Sequence, residues 1–325
     1  MADIRVGLIG IGGMGGCHYE NYKQVKGAKI VAVADVRVDM AKEKTKGTDV
    51  KVYADYKEML ANEELDMVDI CTPSFLHADM AVYCLEAGYH VLCEKPMTLN
   101  AEEAKKVLEA TKKTDKNFMA AHVVRFMTPY MYLRGVIESG ELGKLMRLDM
   151  KRLSGIPSWS WEDWMRDEKR SGGVVTDLSI HDIDYVQSIL GMPDYISAIR
   201  YGLKNNNDFA QTEMVYGETL VSCEGTWYNA HIPFHATFIA VFENGYVENT
   251  DKLYKNGKEV ILAEETKVEE VDLGINVGND NGYLNEIQYF VDCIHNGTKP
   301  DFVTPESSAN TIELVDKIKA CAKML

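Results

Sequence analysis

The chain has 325 residues but no apolar run approaching the roughly 20 that a bilayer-spanning helix needs, which argues against a membrane protein. It is short of positive charge. Lys and Arg number 35 against 50 Asp and Glu, and no basic stripe interrupts the net charge of -15, so nucleic acid is a poor partner. Its seven cysteines, Cys17, Cys71, Cys84, Cys93, Cys223, Cys293 and Cys321, include no C-x-x-C pair, and neither they nor the eight histidines cluster at ligand spacing. The expectation is reduced core thiols and no metal. No basic segment, apolar stretch and cleavage site precede the first strand, so the expected location is the cytoplasm. Repeats, low-complexity tracts and long linkers are also missing. What is present is ordinary globular composition, 46% hydrophobic and 26% charged, in a chain long enough for two domains.

The most informative stretch is Arg5 to His18, where an apolar run turns through glycines into a helical pattern. Gly10, Gly12 and Gly15 fit G-x-G-x-x-G: a tight turn, close approach to a pyrophosphate, and close packing of helix on strand. With Gly13 and Met14 they form a candidate dinucleotide site, because free amides at a helix start face phosphates. The next apolar run ends at Asp35, about 20 residues on, where a carboxylate accepts ribose hydroxyls and favours NAD. Arg37, two residues further, is placed to receive a 2'-phosphate, which keeps NADP open.

From residue 1 to 122, β-rich runs (4–9, 29–34, 67–71, 89–93 and 117–121) alternate with amphipathic helices, the pattern of a doubly wound parallel sheet. Thr72-Pro73-Ser74 and Glu94-Lys95-Pro96 follow two of these strands, at the carboxyl edge where such sheets bind ligands. Lys95 is fixed in position by the turn into proline, whose peptide bond is open to the cis form. Residues 123–325 form a second domain. A helix at 128–139 ends at Gly140, a strand covers 145–153, and another helix runs from Val175 to a stop near Gly191. Consecutive strand runs between 195 and 262, the last being Val260–Leu262, imply antiparallel pairing. With few helices left to cover such a sheet, its bare face calls for a homo-oligomer. The final helix opens at Thr304-Pro305 and carries Leu314, Ile318 and Cys321 on one face.

Asp177 and His181 lie four apart after Gly172-Gly173 and so project from one helix face, where the histidine can take a proton from an alcohol while the carboxylate binds a hydroxyl. Asp182 and Asp184 read as solvated or supporting acids. Trp159, Trp161 and Trp164 anchor a loop, the favoured reading, or stack on a sugar ring. Arg125 lines a cleft or makes a salt bridge between domains.

Together, Gly10-Ile11-Gly12-Gly13-Met14-Gly15 with His18, Thr72-Pro73-Ser74 with His77, Glu94-Lys95-Pro96, and Gly172-Gly173 with Asp177 and His181 resemble the glucose-fructose oxidoreductase and inositol dehydrogenase (Gfo/Idh/MocA) family. The resemblance implies a Rossmann domain followed by an α+β domain with a large open, mostly antiparallel sheet, bound NAD or NADP, and a homodimer or homotetramer joined through that sheet. It implies that Lys95, Asp177 and His181 surround the reacting carbon of a sugar or cyclitol, with Thr72, Pro73, Ser74, His77 and Glu94 among the cofactor contacts and Arg125, Trp159 and Trp161 towards substrate. Ser171 departs from the family pattern, where many members have a third glycine. The expected activity is hydride transfer between a nicotinamide and a secondary carbinol or ketone. The alternatives are a glycosidase that oxidises transiently, and a regulator that binds without turnover.

Overall fold

The computed structural model of the protein describes residues 2–261 and 281–325. These form two compact units. The first comprises residues 2–122 with Tyr283–Ala309; the second comprises 123–261, 281–282 and Asn310–Leu325. The change of unit at 122/123 falls where the sequence pattern changes. Residues Tyr283–Ala309, expected in the second domain, pack instead with the first unit. Main-chain partners hold them there: Asn117 Nδ2 donates to the Thr298 carbonyl (2.8 Å), Lys299 Nζ to those of Asp115 and Lys116, and His295 Nε2 lies 2.8 Å from the Gly27 oxygen.

In the first unit the chain runs β1 (Ile4–Ile9), α1 (Gly13–Tyr22), β2 (Ala28–Ala34), α2 (Val38–Lys44), β3 (Lys51–Tyr53), α3 (Tyr56–Asn62), β4 (Met67–Ile70), α4 (His77–Glu86), β5 (His90–Glu94), α5 (Ala101–Lys112) and β6 (Phe118–Ala121). The six strands lie in the order β3-β2-β1-β4-β5-β6, every neighbouring pair parallel. The edge strand β3 went unseen in the sequence because its three residues are too few for a pattern. Strands β4 and β6 are buried along their whole length, as expected for a sheet covered on both faces. The order reverses between β1 and β4, so the turns after these strands meet at the switch point where such sheets bind ligands. One residue breaks the apolar run of β4: Asp69, fully buried.

The second unit contains α6 (Thr128–Ser139), β7 (Leu145–Gly155), α7 (Glu168–Ser171), α8 (Ile180–Leu190), β8 (Tyr195–Arg200), β9 (Asp208–Tyr216), β10 (Thr219–Tyr228), β11 (His235–Phe242), β12 (Gly245–Asn249), β13 (Leu253–Lys255) and β14 (Lys258–Glu259). Helix α9 (Gly282–Asn296) follows, then α10 (Pro305–Cys321) and β15 (Lys323–Met324). Among the described residues nine strands form one open sheet, β14-β13-β12-β11-β7-β10-β9-β8-β15, antiparallel except where β7 meets β10 and β8 meets β15. On β7, Leu148, Met150 and Arg152 are buried while Arg147 and Lys151 point outward. Tyr195, Ile199, Ile239 and Val241 add exposed apolar side chains. Of the strand expected at Val260–Leu262, Val260 and Ile261 are not in a strand and Leu262 lies outside the described residues; pairing falls at Lys258–Glu259, opposite Tyr254 and Lys255. On α10, Leu314 and Ile318 are buried but Cys321 is exposed, so not every thiol belongs to a core.

Three buried ion pairs tie the helical segment 174–190 to its surroundings. Asp182 accepts from Arg152 of β7 (2.7 Å), and Asp184 from Arg125 (2.6 and 2.8 Å) and from the Thr311 hydroxyl (2.9 Å). Asp208 of β9 pairs with Arg200 (2.8 Å) and accepts the Val174 N–H (2.9 Å). Of the two roles expected of Asp182 and Asp184, solvated or supporting acids, the solvated one is wrong, because each is buried and neutralises a guanidinium inside the unit. The cost of breaking such a pair greatly exceeds that of breaking an exposed one. Asp182→Ala should lower the unfolding free energy in urea by about 3–5 kcal/mol, leaving Arg152 buried with its charge uncompensated. Glu218→Ala, which removes the exposed partner of Lys144, should change it little.

Candidate functional site

The residues of interest fall in both units. In the first, Gly10 takes a left-handed φ of 85° that turns the chain out of β1. Gly15 tolerates no side chain, since a Cβ there would run into the Gly10 carbonyl oxygen. Helix α1 therefore starts hard against the strand, with Gly12 as an N-cap that has no side-chain bond, leaving its first-turn amides to an outside acceptor. Gly13 and Met14 stand in that first turn. Asp35 follows β2, its carboxylate accepting from Ile11 N (3.0 Å) and Arg37 N (2.8 Å). The Arg37 side chain folds back onto the same carboxylate at 3.2 Å. Lys44, which sequence reasoning missed, donates to the carbonyls of Ile11 and Gly12, both at 2.9 Å. Burial, then the neighbouring Arg37 charge, lowers its pKa. This cradle fits a dinucleotide: a glycine turn with no room for a Cβ, an uncapped helix start, and a carboxylate at the end of the next strand.

Two turns continue along the same edge. Thr72 and Pro73 follow β4 and are partly exposed, while Ser74 is buried at the start of a short 3-10 turn. His77 spans from the Thr72 carbonyl (2.8 Å) to the Pro96 carbonyl (2.7 Å) and so ties the β4 and β5 turns together. The Lys95–Pro96 bond is cis and Lys95 is partly exposed. Expected as cofactor contacts, Glu94 and His77 are both buried, with side chains engaged within the protein. One Glu94 oxygen bonds His18 Nε2 (3.1 Å) and the other accepts the Lys95 N–H (3.0 Å).

His18 is fully buried, and its Nδ1 lies 2.9 Å from Asp69. Burial alone would lower its pKa, yet the Asp69 carboxylate and Cys71 carry it well above the usual value, so the ring is a cation. Burial would likewise raise Glu94, but the bond and charge of His18, followed by Lys95, hold it below the usual carboxylate range. Donor atoms of His18, Asp69 and Cys71 lie within 4.8 Å of one another. They are already joined by hydrogen bonds. On α9, Glu286 is also fully buried, and among the described residues its carboxyl oxygens have no hydrogen-bond partner. Burial, then the Glu94 charge, pushes its pKa well above the ordinary value, so it stays protonated. The sequence held a signal for Asp69, an acid inside an otherwise apolar strand, but none for Glu286.

In the second unit Gly172 and Gly173 have φ values of 77° and 73°, and a Cβ on Gly173 would strike the Arg200 guanidinium. Asp177, buried, lies in a π turn (Val175–Ser179) that opens into α8, and the partly exposed His181 stands in that helix's first turn. The wider turn replaces the plain α-helical offset expected from their spacing. Arg125, expected to line a cleft or make a salt bridge, is 2% exposed and pairs with Asp184 of this unit. Trp159 is 49% exposed, Trp161 and Trp164 are only partly buried, and Met165 is the buried side chain of that loop.

Comparison with known proteins agrees with this architecture. Residues 4–122 match the description "Oxidoreductase family, NAD-binding Rossmann fold" and residues 130–248 match "GFO/IDH/MocA C-terminal domain". A myo-inositol 2-dehydrogenase of Thermotoga maritima is 32% identical over 58% of this chain and 55% of its own length. An inositol 2-dehydrogenase of Arthrobacter is 30% identical over 75% of this chain and 73% of its own. The chain thus spans about half the length of several curated relatives it matches. The crystal structure of myo-inositol 2-dehydrogenase from Lactobacillus plantarum has the same fold, with TM-score 0.80, 20% identity, and coverage of 98% of this chain and 97% of the other.

Glu286 gives a pH test. Between its unfolded pKa near 4.5 and its raised folded value, the native state binds one proton more than the unfolded state, so stability falls as pH rises, by up to about 1.4 kcal/mol per pH unit. Glu286→Gln removes that slope. Urea unfolding should show the variant gaining on the wild type at pH 8 relative to pH 4; an equal difference at both would assign the proton elsewhere.

Proposed function

Because the chain belongs to the Gfo/Idh/MocA oxidoreductase family, we propose that it transfers hydride between a nicotinamide and a secondary carbinol or ketone of a sugar, cyclitol or sugar derivative. The observation that carries this reading is Lys95, partly exposed on a turn tied by both neighbours at the ligand edge of an NAD-binding sheet. Relatives named for inositol and D-glucoside support the substrate class. NAD, when bound, supplies the hydride acceptor. The chain supplies the proton chemistry: Lys95 or His181 takes the hydroxyl proton, and Asp177 anchors a hydroxyl. In this reading Thr72, Pro73 and the glycine turn hold the cofactor, and Trp159 and Trp161 offer faces to a ring.

Asp35 favours NAD, since it accepts a 2'-hydroxyl and repels a 2'-phosphate, while Arg37 and Lys44 soften that preference. Asp35→Ser should move the ratio of kcat/KM towards NADP, measured with both cofactors. The outward face of the nine-stranded sheet, where Tyr195, Ile199, Ile239 and Val241 are exposed beside Arg147 and Lys151, fits a second copy of this chain, giving a homodimer or homotetramer. Light scattering at micromolar concentration should return a multiple of 36.5 kDa.

Screening sugars, inositols and glycosides with NAD should reveal net NADH, which a transiently oxidising glycosidase would not accumulate. Lys95→Met should cut kcat by roughly 100-fold with NAD affinity kept, His181→Asn should also lower kcat, and Asp177→Asn should act more on KM. Full activity in both the Lys95 and His181 variants would reject this site.

A further inference from the structure

A lysine side chain is long and flexible, so where its ammonium can reach depends on how its main chain is fixed. At Lys95 that fixation does not come from the sheet ladder. β5 ends at Glu94, and the Glu94 carboxylate bends over to accept the next residue's N–H at 3.0 Å. That carboxylate is free to rotate unless its second oxygen is also held. His18 of α1 holds it at 3.1 Å, and the opposite ring nitrogen is anchored to Asp69 of β4 at 2.9 Å. One buried ring thus connects the helix that starts at the glycine turn, the central strand and the strand end carrying Lys95. Nothing else in the proposed reaction uses it.

We infer that His18 is a positioning residue for Lys95, acting through Glu94: the ring fixes the carboxylate, and the carboxylate fixes the main chain from which the lysine projects. The inference takes the role of Lys95 from the proposed function, but the placement of Lys95 can be tested without it. The cationic ring also helps hold the buried Glu94 carboxyl below the usual carboxylate range.

The test compares His18→Gln, Glu94→Gln and the double variant. A glutamine at 94 has one acceptor oxygen where the carboxylate has two, so it cannot accept from both a protonated His18 ring and the Lys95 amide. In cofactor-free protein, the rate of reductive methylation at Lys95, read by peptide mass spectrometry against the other lysines, should change at least threefold in each single variant and no further in the double. With the substrate found by screening, kcat should fall roughly 10- to 100-fold, as for a displaced catalytic group, while the Kd for NAD by fluorescence stays within about threefold. Non-additivity is the signature, since both substitutions break one chain of contacts. If His18→Gln fails to fold, Glu94→Gln alone must still alter Lys95 reactivity. Unchanged Lys95 labelling in folded variants overturns the inference, as does additive loss of kcat. Altered labelling in the variants, together with a wild-type protein that turns over no carbinol, supports the positioning and sinks the enzymatic reading instead.

Discussion

An acidic side chain buried in the middle of a parallel sheet is the constraint on which the first unit depends. Asp69 sits in a strand with no exposed residue, where an unpaired charge would cost several kcal/mol. Its partner comes from the helix after the glycine turn, so α1 must lie close enough for His18 to reach the strand. Gly15 makes that approach possible, because only a residue without a Cβ fits against the Gly10 carbonyl. The glycine spacing that suits a pyrophosphate therefore also brings His18 into the charge layer, and cofactor cradle and lysine support share one helix.

The second unit solves a similar problem differently. Its segment 174–190 carries Asp177 and His181 but is steered by neighbouring acids: Asp182 to Arg152, Asp184 to Arg125, and the Val174 amide to Asp208. Buried pairs of this kind add little net stability over apolar packing, yet each penalises every other placement of the helix by leaving a charge alone. The π turn at Val175–Ser179 is held in place within this frame, and π turns recur at functional sites.

Charge bookkeeping unites the buried layer of the first unit. His18 is cationic, Glu94 is an anion, and Glu286, with no cation of its own among the described residues, keeps its proton. A protonated carboxyl there avoids a further negative charge beside Glu94 in a site from which water is excluded.

The alternation of strands and helices, the glycine turn, the ends of α6 and α10, and the strand ends bearing Thr72 and Lys95 were determined by local sequence, because periodicity and turn chemistry act over a few residues. The sequence also put Asp177 and His181 into one helical segment, but their offset was not legible, because Asp177 lies in a π turn and His181 in the α-helix that follows. Only the tertiary structure decided which acids are buried. Nothing local distinguishes Asp182 and Asp184 from solvated carboxylates, and Arg152 and Arg125 become their partners only when elements distant in sequence meet. It also decided that Tyr283–Ala309 returns to the first unit and that Glu94 and His77 brace the turns from behind. Burial and ion pairing across such separations are properties of packing, and packing is written in no single stretch of the chain.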